Sequence, residues 1–219
     1  MKKDIRILIA DDHAIVRIGL AALFKTECGF CVVGQAANGT EAIRLAGDLN
    51  PDVVIMDLMM PDLSGVEATQ AILRARPGTR VVVLTTFGTS DGIARALEAG
   101  ACGAFLKTAN DADLIAGVRA VAAGGTAVSA EVRQLLAEDP AVPELTSRQC
   151  EILDYVTRGF TNPDIAHTLG IRESSVKEHL MDIFGKIGAA NRAEAVAIAF
   201  RKQLLKIWPR PRRLRPADR

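Results

Sequence analysis

The sequence predicts an α/β protein: a doubly wound five-stranded parallel sheet followed by a small all-α domain of four helices. Three observations carry this. Five short apolar runs alternate with amphipathic stretches of 10–15 residues through the first 125 positions, the pattern of βαβ units. After Thr146 no strand pattern returns, and the apolar spacing becomes helical throughout. Glycines and helix caps punctuate both halves where such elements should begin and end.

In chain order the predicted strands are IRILIA (5–10), CVVGQA (31–36), DVVIMD (52–57), RVVVLT (80–85) and GAFLK (103–107). Ser64-x-x-Glu67 forms a capping box, and Asn38 and Ser90 are expected N-caps. Gly100 and Gly124 suit helix C-termini. Residues 126–144 hold two prolines and mixed polarity; they read as a linker around a short helix. Four helices then fit 147–158, 163–169, 173–186 and 192–205. Thr146-x-x-Gln149 caps the first, Gly159 ends it, and Pro163 takes the first helical position after Asn162.

A chain of 219 residues with 49% hydrophobic and 24% charged content accommodates two globular domains. The opening MKKDIRILIADDH has too short an apolar run for a signal peptide or a membrane span, so a cytoplasmic location without membrane association is expected. Cys28 and Cys31 form a lone C-x-x-C before a strand, and the histidines are scattered, so neither a zinc site nor a redox helix is indicated. Charge is uneven. Residues 1–125 carry 12 Lys/Arg against 14 Asp/Glu, while 201–219 carry eight basic residues against one acid.

Ligands of an open parallel sheet bind beyond the carboxyl ends of its strands. There the sequence places Asp11 and Asp12 after the first strand, Asp57 after the third, Thr85 closing the fourth and Lys107 closing the fifth. Taken singly, strand-end acids are often caps and Lys107 an ordinary loop residue. Taken together, five such groups on one rim indicate a site. Clustered carboxylates repel unless a cation sits among them, and hard oxygen ligands suit Mg²⁺, which also binds phosphoryl oxygens. A carboxylate can attack phosphorus to give an aspartyl phosphate, with Lys107 and Thr85 placed to meet the phosphoryl oxygens.

DDHAIVRIGL, DLMMPDLSG, LTT and FLKT, within about residues 4–124, resemble the receiver domain of bacterial two-component response regulators. The resemblance implies a flavodoxin-like fold and phosphorylation of Asp57 by a sensor histidine kinase. It also implies Mg²⁺ held by Asp11, Asp12, Asp57 and the Met59 carbonyl, with Thr85 and Lys107 on the phosphoryl group. One departure stands out: Ala104 occupies the place of the family's switch aromatic. Phe105 next to it points to the opposite face, as successive strand residues do, and reads as core.

FTNPDIAHTLGIRESSVKEHLMDIFGKIG (160–188) reads as two short helices with a glycine turn. Spacing alone fits a generic helical hairpin as well as a helix-turn-helix. LTSRQCEILDYV, GFTNPDIAHTLGI, SVKEHL and NRAEAV resemble the LuxR-type DNA-binding domain, so the whole chain resembles a NarL/FixJ-type regulator. The resemblance implies contacts to double-stranded DNA from helix 173–186, with Ser175, Lys177, Glu178 and Met181 best placed and Lys186 nearby, and a homodimer formed through 192–205. Arg172 stands at the usual Ser/Thr N-cap, where it could meet a phosphate, and Gln149 stands where the motif has Glu.

The expected organisation is a phosphoacceptor receiver (1–125), a linker (126–144), a helix-turn-helix domain (145–205) and a basic tail (206–219), whose PRPRRLRP could run along a DNA backbone. The expected function is a phosphorylation-controlled transcriptional regulator. The alternative is a regulator of the same fold controlled by protein or ligand contact. A phosphatase acting through Asp57 is disfavoured because Met59, rather than a second acid, follows two residues on; catalysis would be limited to slow self-dephosphorylation. A dinucleotide-binding fold lacks its G-x-G-x-x-G.

Overall fold

The computed structural model describes residues 4–86, 90–139, 145–202 and 204. The chain divides into two compact units between Ala141 and Val142. In the first, strands β1 (Ile5–Ala10), β2 (Phe30–Ala36), β3 (Val53–Met56), β4 (Arg80–Thr85), β5 (Gly103–Leu106) and β6 (Ala127–Val128) alternate with helices. The helices are α1 (Ala14–Thr26), α2 (Gly39–Leu49), α3 (Gly65–Ala75), α4 (Ser90–Glu98), α5 (Asp111–Ala122) and α6 (Ala130–Glu138). All strand pairs are parallel, in the order β2-β1-β3-β4-β5-β6. The order reverses between β1 and β3, and their carboxyl ends form the crevice where ligands bind in such sheets.

Alternation along the strands builds two cores. Leu8, Val54, Val81 and Ala104 pack against α2, α3, α4 and α6 through Ala46, Ile72, Ile93 and Val132. Ile7, Ile55, Val82 and Phe105 pack against α1 and α5 through Phe24 and Val118. Phe105 is core, as its parity predicts, and it fills space that Gly117 leaves: a Cβ there would lie 2.2 Å from the Phe105 ring.

The five predicted strands occur within one residue of their expected bounds, but the sheet has a sixth. Residues 127 and 128 extend it beside Gly103 and Ala104, and α6 docks on the same face with Val132 fully buried. Positions 126–139, expected as linker, therefore belong to the sheet unit; 140–144 lie outside the described residues. A two-residue strand is too short to show a period, and its backbone bonds make it one. Ser64 and Asn38 cap as expected. Ser90 does not: it is the first helical residue of α4 and uses its hydroxyl elsewhere.

The second unit holds α7 (Ser147–Thr157), α8 (Asn162–Leu169), α9 (Glu173–Ile187) and α10 (Arg192–Arg201) around Ile152, Leu153, Ile165, Val176 and Ile183. The Thr146–Gln149 capping box is present. The start of α8 differs from expectation: Thr161 is the N-cap, boxed with Asp164, and Pro163 follows Asn162 inside the first turn. Gly170, at φ +63°, ends α8 in the left-handed conformation and turns the chain into α9. The tail 206–219 lies outside the described residues, as do positions 203 and 205 of the expected last helix.

Candidate functional site

The rim at the carboxyl ends of β1, β3, β4 and β5 brings the predicted polar groups together. Asp11 and Asp57 are each 2% exposed. Their backbones continue the sheet: Asp57 N–H donates to Ala10 O at 2.8 Å, and Asp11 N–H to Ala36 O at 3.1 Å. Lys107 enters from the end of β5, its Nζ 2.6 Å from Asp11 Oδ2 and 2.7 Å from Asp57 Oδ2. Two buried acids thus share one ammonium. Thr85 is fully buried, and its carbonyl accepts from the Lys107 N–H at 2.7 Å, tying β4 to β5 at the rim.

The loop after Asp57 is built for close approach. A Cβ on Gly65 would lie 2.0 Å from the Asp57 carbonyl oxygen, so only glycine lets α3 start against this loop. Met59 N–H donates to Asp57 Oδ1 at 3.2 Å, and Gly65 N–H to Leu58 O at 3.0 Å. The first bond holds the Asp57 carboxylate, and the second closes the loop under it.

Burial pushes the Asp57 carboxyl above its ordinary value, and the Asp11 charge adds to the rise, while Lys107 and the Met59 N–H work against it. For Lys107, burial works downward, but its hydrogen bonds to Asp11 and Asp57 together outweigh it and hold the ammonium above its ordinary range. One cation does not fully settle the two acids and Asp12 beside them. Ligand atoms of Asp11, Asp12, His13 and Asp57 all lie within 4.8 Å of one another, so the carboxylate donors fit a hard divalent cation.

Sequence reasoning had set His13 aside. Its Nδ1 lies 2.7 Å from Asp12 Oδ1, and its backbone N–H donates to Asp11 Oδ1 at 2.8 Å. Arg17, one turn into α1, donates to the Asp11 carbonyl at 2.7 Å. The signal available in sequence was position alone: a histidine directly after an acid pair at a strand end.

On α9, Val176, Leu180, Ile183 and Ile187 are buried. Lys177, Glu178 and Met181 are exposed on the other side, Met181 by 74%, and Ser175 is half-buried at the border. Ser174 shares that exposed face, and helical periodicity could have added it to the candidates. Lys177 pairs with Glu173 at 2.9 Å. Arg172 is exposed at the N-cap and makes no side-chain cap bond, as expected. Lys186 is half-buried and donates to Gln149 Oε1 at 2.9 Å. The same oxygen accepts from the Thr146 N–H at 3.1 Å, so Gln149 ties the start of α7 to the end of α9. Lys186 lies apart from the other candidates in this respect.

Two family models match the chain. The model of the response regulator receiver domain matches residues 7–119, and that of the bacterial regulatory proteins of the luxR family matches 143–199. The transcriptional regulatory protein LiaR of Bacillus subtilis is 36% identical over 209 residues, covering 92% of this chain and 99% of LiaR. The response regulator VraR of Staphylococcus aureus is 37% identical over 207 residues, covering 92% and 99%. Among solved structures, the response regulator ChrA of a heme-sensing two-component system aligns with a TM-score of 0.57 at 35% identity, covering 92% of this chain and 99% of that one. RcsB of Salmonella enterica serovar Typhimurium, bound to promoter P1flhDC with the phosphomimetic BeF3−, aligns with a TM-score of 0.66 at 25% identity, covering 91% and 99%. The chain belongs to the two-component response regulators that join a receiver domain to a LuxR-type DNA-binding domain, and it is a transcriptional regulator.

Proposed function

We propose that Asp57 is the phosphoacceptor and that a sensor histidine kinase is the donor. A carboxylate oxygen of Asp57 attacks phosphorus; the new O–P bond forms as the P–N bond to the kinase imidazole breaks, and the imidazole leaves with that electron pair. The observation that carries this reading is the Lys107 ammonium 2.6 Å from Asp11 and 2.7 Å from Asp57. It puts a fixed positive charge beside the nucleophile, where the negative phosphoryl oxygens must arrive. Mg²⁺, held by Asp11, Asp12, Asp57 and the Met59 carbonyl, would supply the remaining charge neutralisation. The Thr85 hydroxyl orients the phosphoryl group once it is in place. No turnover beyond slow loss of the phosphoryl group is assigned to the chain.

Residues 1–125 receive the signal, 145–205 read DNA, and the active form is a homodimer with its α10 region at the contact. Helix α9 enters the major groove with Ser174, Ser175, Glu178 and Met181 toward the bases, and Arg172, Lys177 and Lys186 toward the backbone. The basic tail 206–219 adds phosphate contacts. No described helix is long and apolar enough to cross a membrane, which supports a cytoplasmic location. A second reading, control by protein or ligand contact, is favoured by Ala104 alone. Incubation with a small phosphodonor and Mg²⁺, followed by mass spectrometry, decides between them. The phosphate reading expects an adduct on Asp57 that Asp57→Asn abolishes; no adduct on either protein would replace it with the second.

A further inference from the structure

Helix α6 follows β6 at the end of the first unit, and three observations define how it is held. Its approach strand β6 pairs with β5, and the Ser129 N–H donates to the Ala104 carbonyl at 3.0 Å. Val132 of α6 is fully buried in the cluster that contains Ala104, with Leu135 and Leu136 packed at its edge. At the far end, the fully buried Ser90 donates its hydroxyl to Asp139 Oδ2 at 2.7 Å, joining the first residue of α4 to the C-cap of α6.

We propose that α6 is the output latch of the receiver, docked over Ala104, pinned to α4 by Ser90–Asp139, and released when the rim is phosphorylated. The inference rests on the reading of Asp57 and Thr85 given above. Thr85 closes β4 at the rim and Ser90 opens α4 only a few residues later, so drawing Thr85 toward a phosphoryl group pulls on the segment that holds Ser90. A hydroxyl–carboxylate bond weakens steeply with distance, and a shift of about 1 Å takes 2.7 Å beyond hydrogen-bonding range. Packed interfaces respond to such shifts by switching rather than stretching.

The helix depends on its dock. It has nine residues, below the roughly 12–15 at which an isolated helix is even marginal in water. Ala104 explains why the dock exists. Its methyl group leaves this face of β5 to Val132, where a ring would take the same space. The element that leads into the DNA-binding unit thus lies where the family's aromatic would report, and α4 and α6 carry the signal in its place.

Hydrogen exchange by mass spectrometry on the full chain, with Mg²⁺ and with or without beryllofluoride as phosphoryl mimic, tests this. In the resting protein, amides 130–138 should be protected. Beryllofluoride should accelerate their exchange about tenfold, the factor that corresponds to losing one charge-assisted hydrogen bond. Ser90→Ala should do the same without beryllofluoride, and Ala104→Tyr should also expose α6, while the β1 and β3 amides stay protected in both. A wild-type response confined to the rim, with 130–138 unchanged, would overturn the latch and leave Asp57 intact. If beryllofluoride alters no peptide, the Asp57 reading fails instead. The Ser90→Ala variant then decides the latch alone: unchanged α6 protection rejects it.

Discussion

The rim of the first unit and the exposed face of α9 both present charge, but under opposite conditions. At the rim, Asp11 and Asp57 are withdrawn from water, Lys107 is 14% exposed at its side chain, and each charge depends on the next. On α9, Lys177 and Glu173 pair across one helical turn with side chains 62% and 45% exposed, where solvent screens each partner and the pair is worth little. The rim therefore stores electrostatic energy that phosphorylation can change. The helix face holds only a pattern that a second charged surface can read.

Removing a charge should separate the two most. Lys107→Met leaves two buried carboxylates without their shared cation, and urea denaturation in EDTA should show a loss of about 3 kcal/mol, partly recovered on adding Mg²⁺. A loss that Mg²⁺ does not reduce would mean that the acids do not share a cation site. Next come the two sides of α9 itself. Ile183→Ala should cost about 3 kcal/mol by opening a cavity in a core where Ile183 is fully buried. Met181→Ala should stay within about 0.5 kcal/mol, yet alter binding to a selected DNA site. Equal stability losses would erase the distinction between the faces.

Lys177→Ala is expected to change stability by only about 0.3 kcal/mol, while the slope of log affinity against log salt falls by about one. Binding isotherms over a salt series would show it; an unchanged slope removes Lys177 from the phosphate contacts. The smallest effect is in pH dependence, and its sign differs between the units. Asp57 has a folded pKa above the ordinary 3.8, so its ionised form costs stability, and the cost disappears as pH falls through the folded value. Wild type should therefore gain on Asp57→Asn in metal-free buffer as the solution is acidified. Hydrogen bonds from the Thr161 side chain and then its backbone hold the Asp164 carboxyl below 3.8. Its contribution is complete above that value and lost as pH falls through the depressed one, so wild type should lose ground to Asp164→Asn only at the acid extreme. Parallel curves for the two pairs would contradict the assignment.

Much of this was legible in the chain. Strands such as IRILIA and RVVVLT are apolar runs bounded by turn residues, and both ends of each were found. The five rim residues were legible because parallel topology dictates which end of each strand meets the crevice, and strand ends can be counted from sequence. Other features were hidden. Residues 127 and 128 form a strand only because β5 offers them an edge. Ser90 looked like a cap because serine before a helix usually is one; its partner Asp139 lies 49 positions away. The hydrogen bond from Lys186 to Gln149 spans 37 positions and has no local signal.

By itself the sequence determined the five main strands, most of the helices and caps, and the chemical inventory of both sites, because periodicity and capping act over a turn or two of chain. Tertiary structure alone decided the long-range polar partners: Lys107 between two acids, Ser90 on Asp139, Gln149 on Lys186. The physical reason is that burying a polar group makes a partner obligatory, and only packing brings distant segments close enough to supply one.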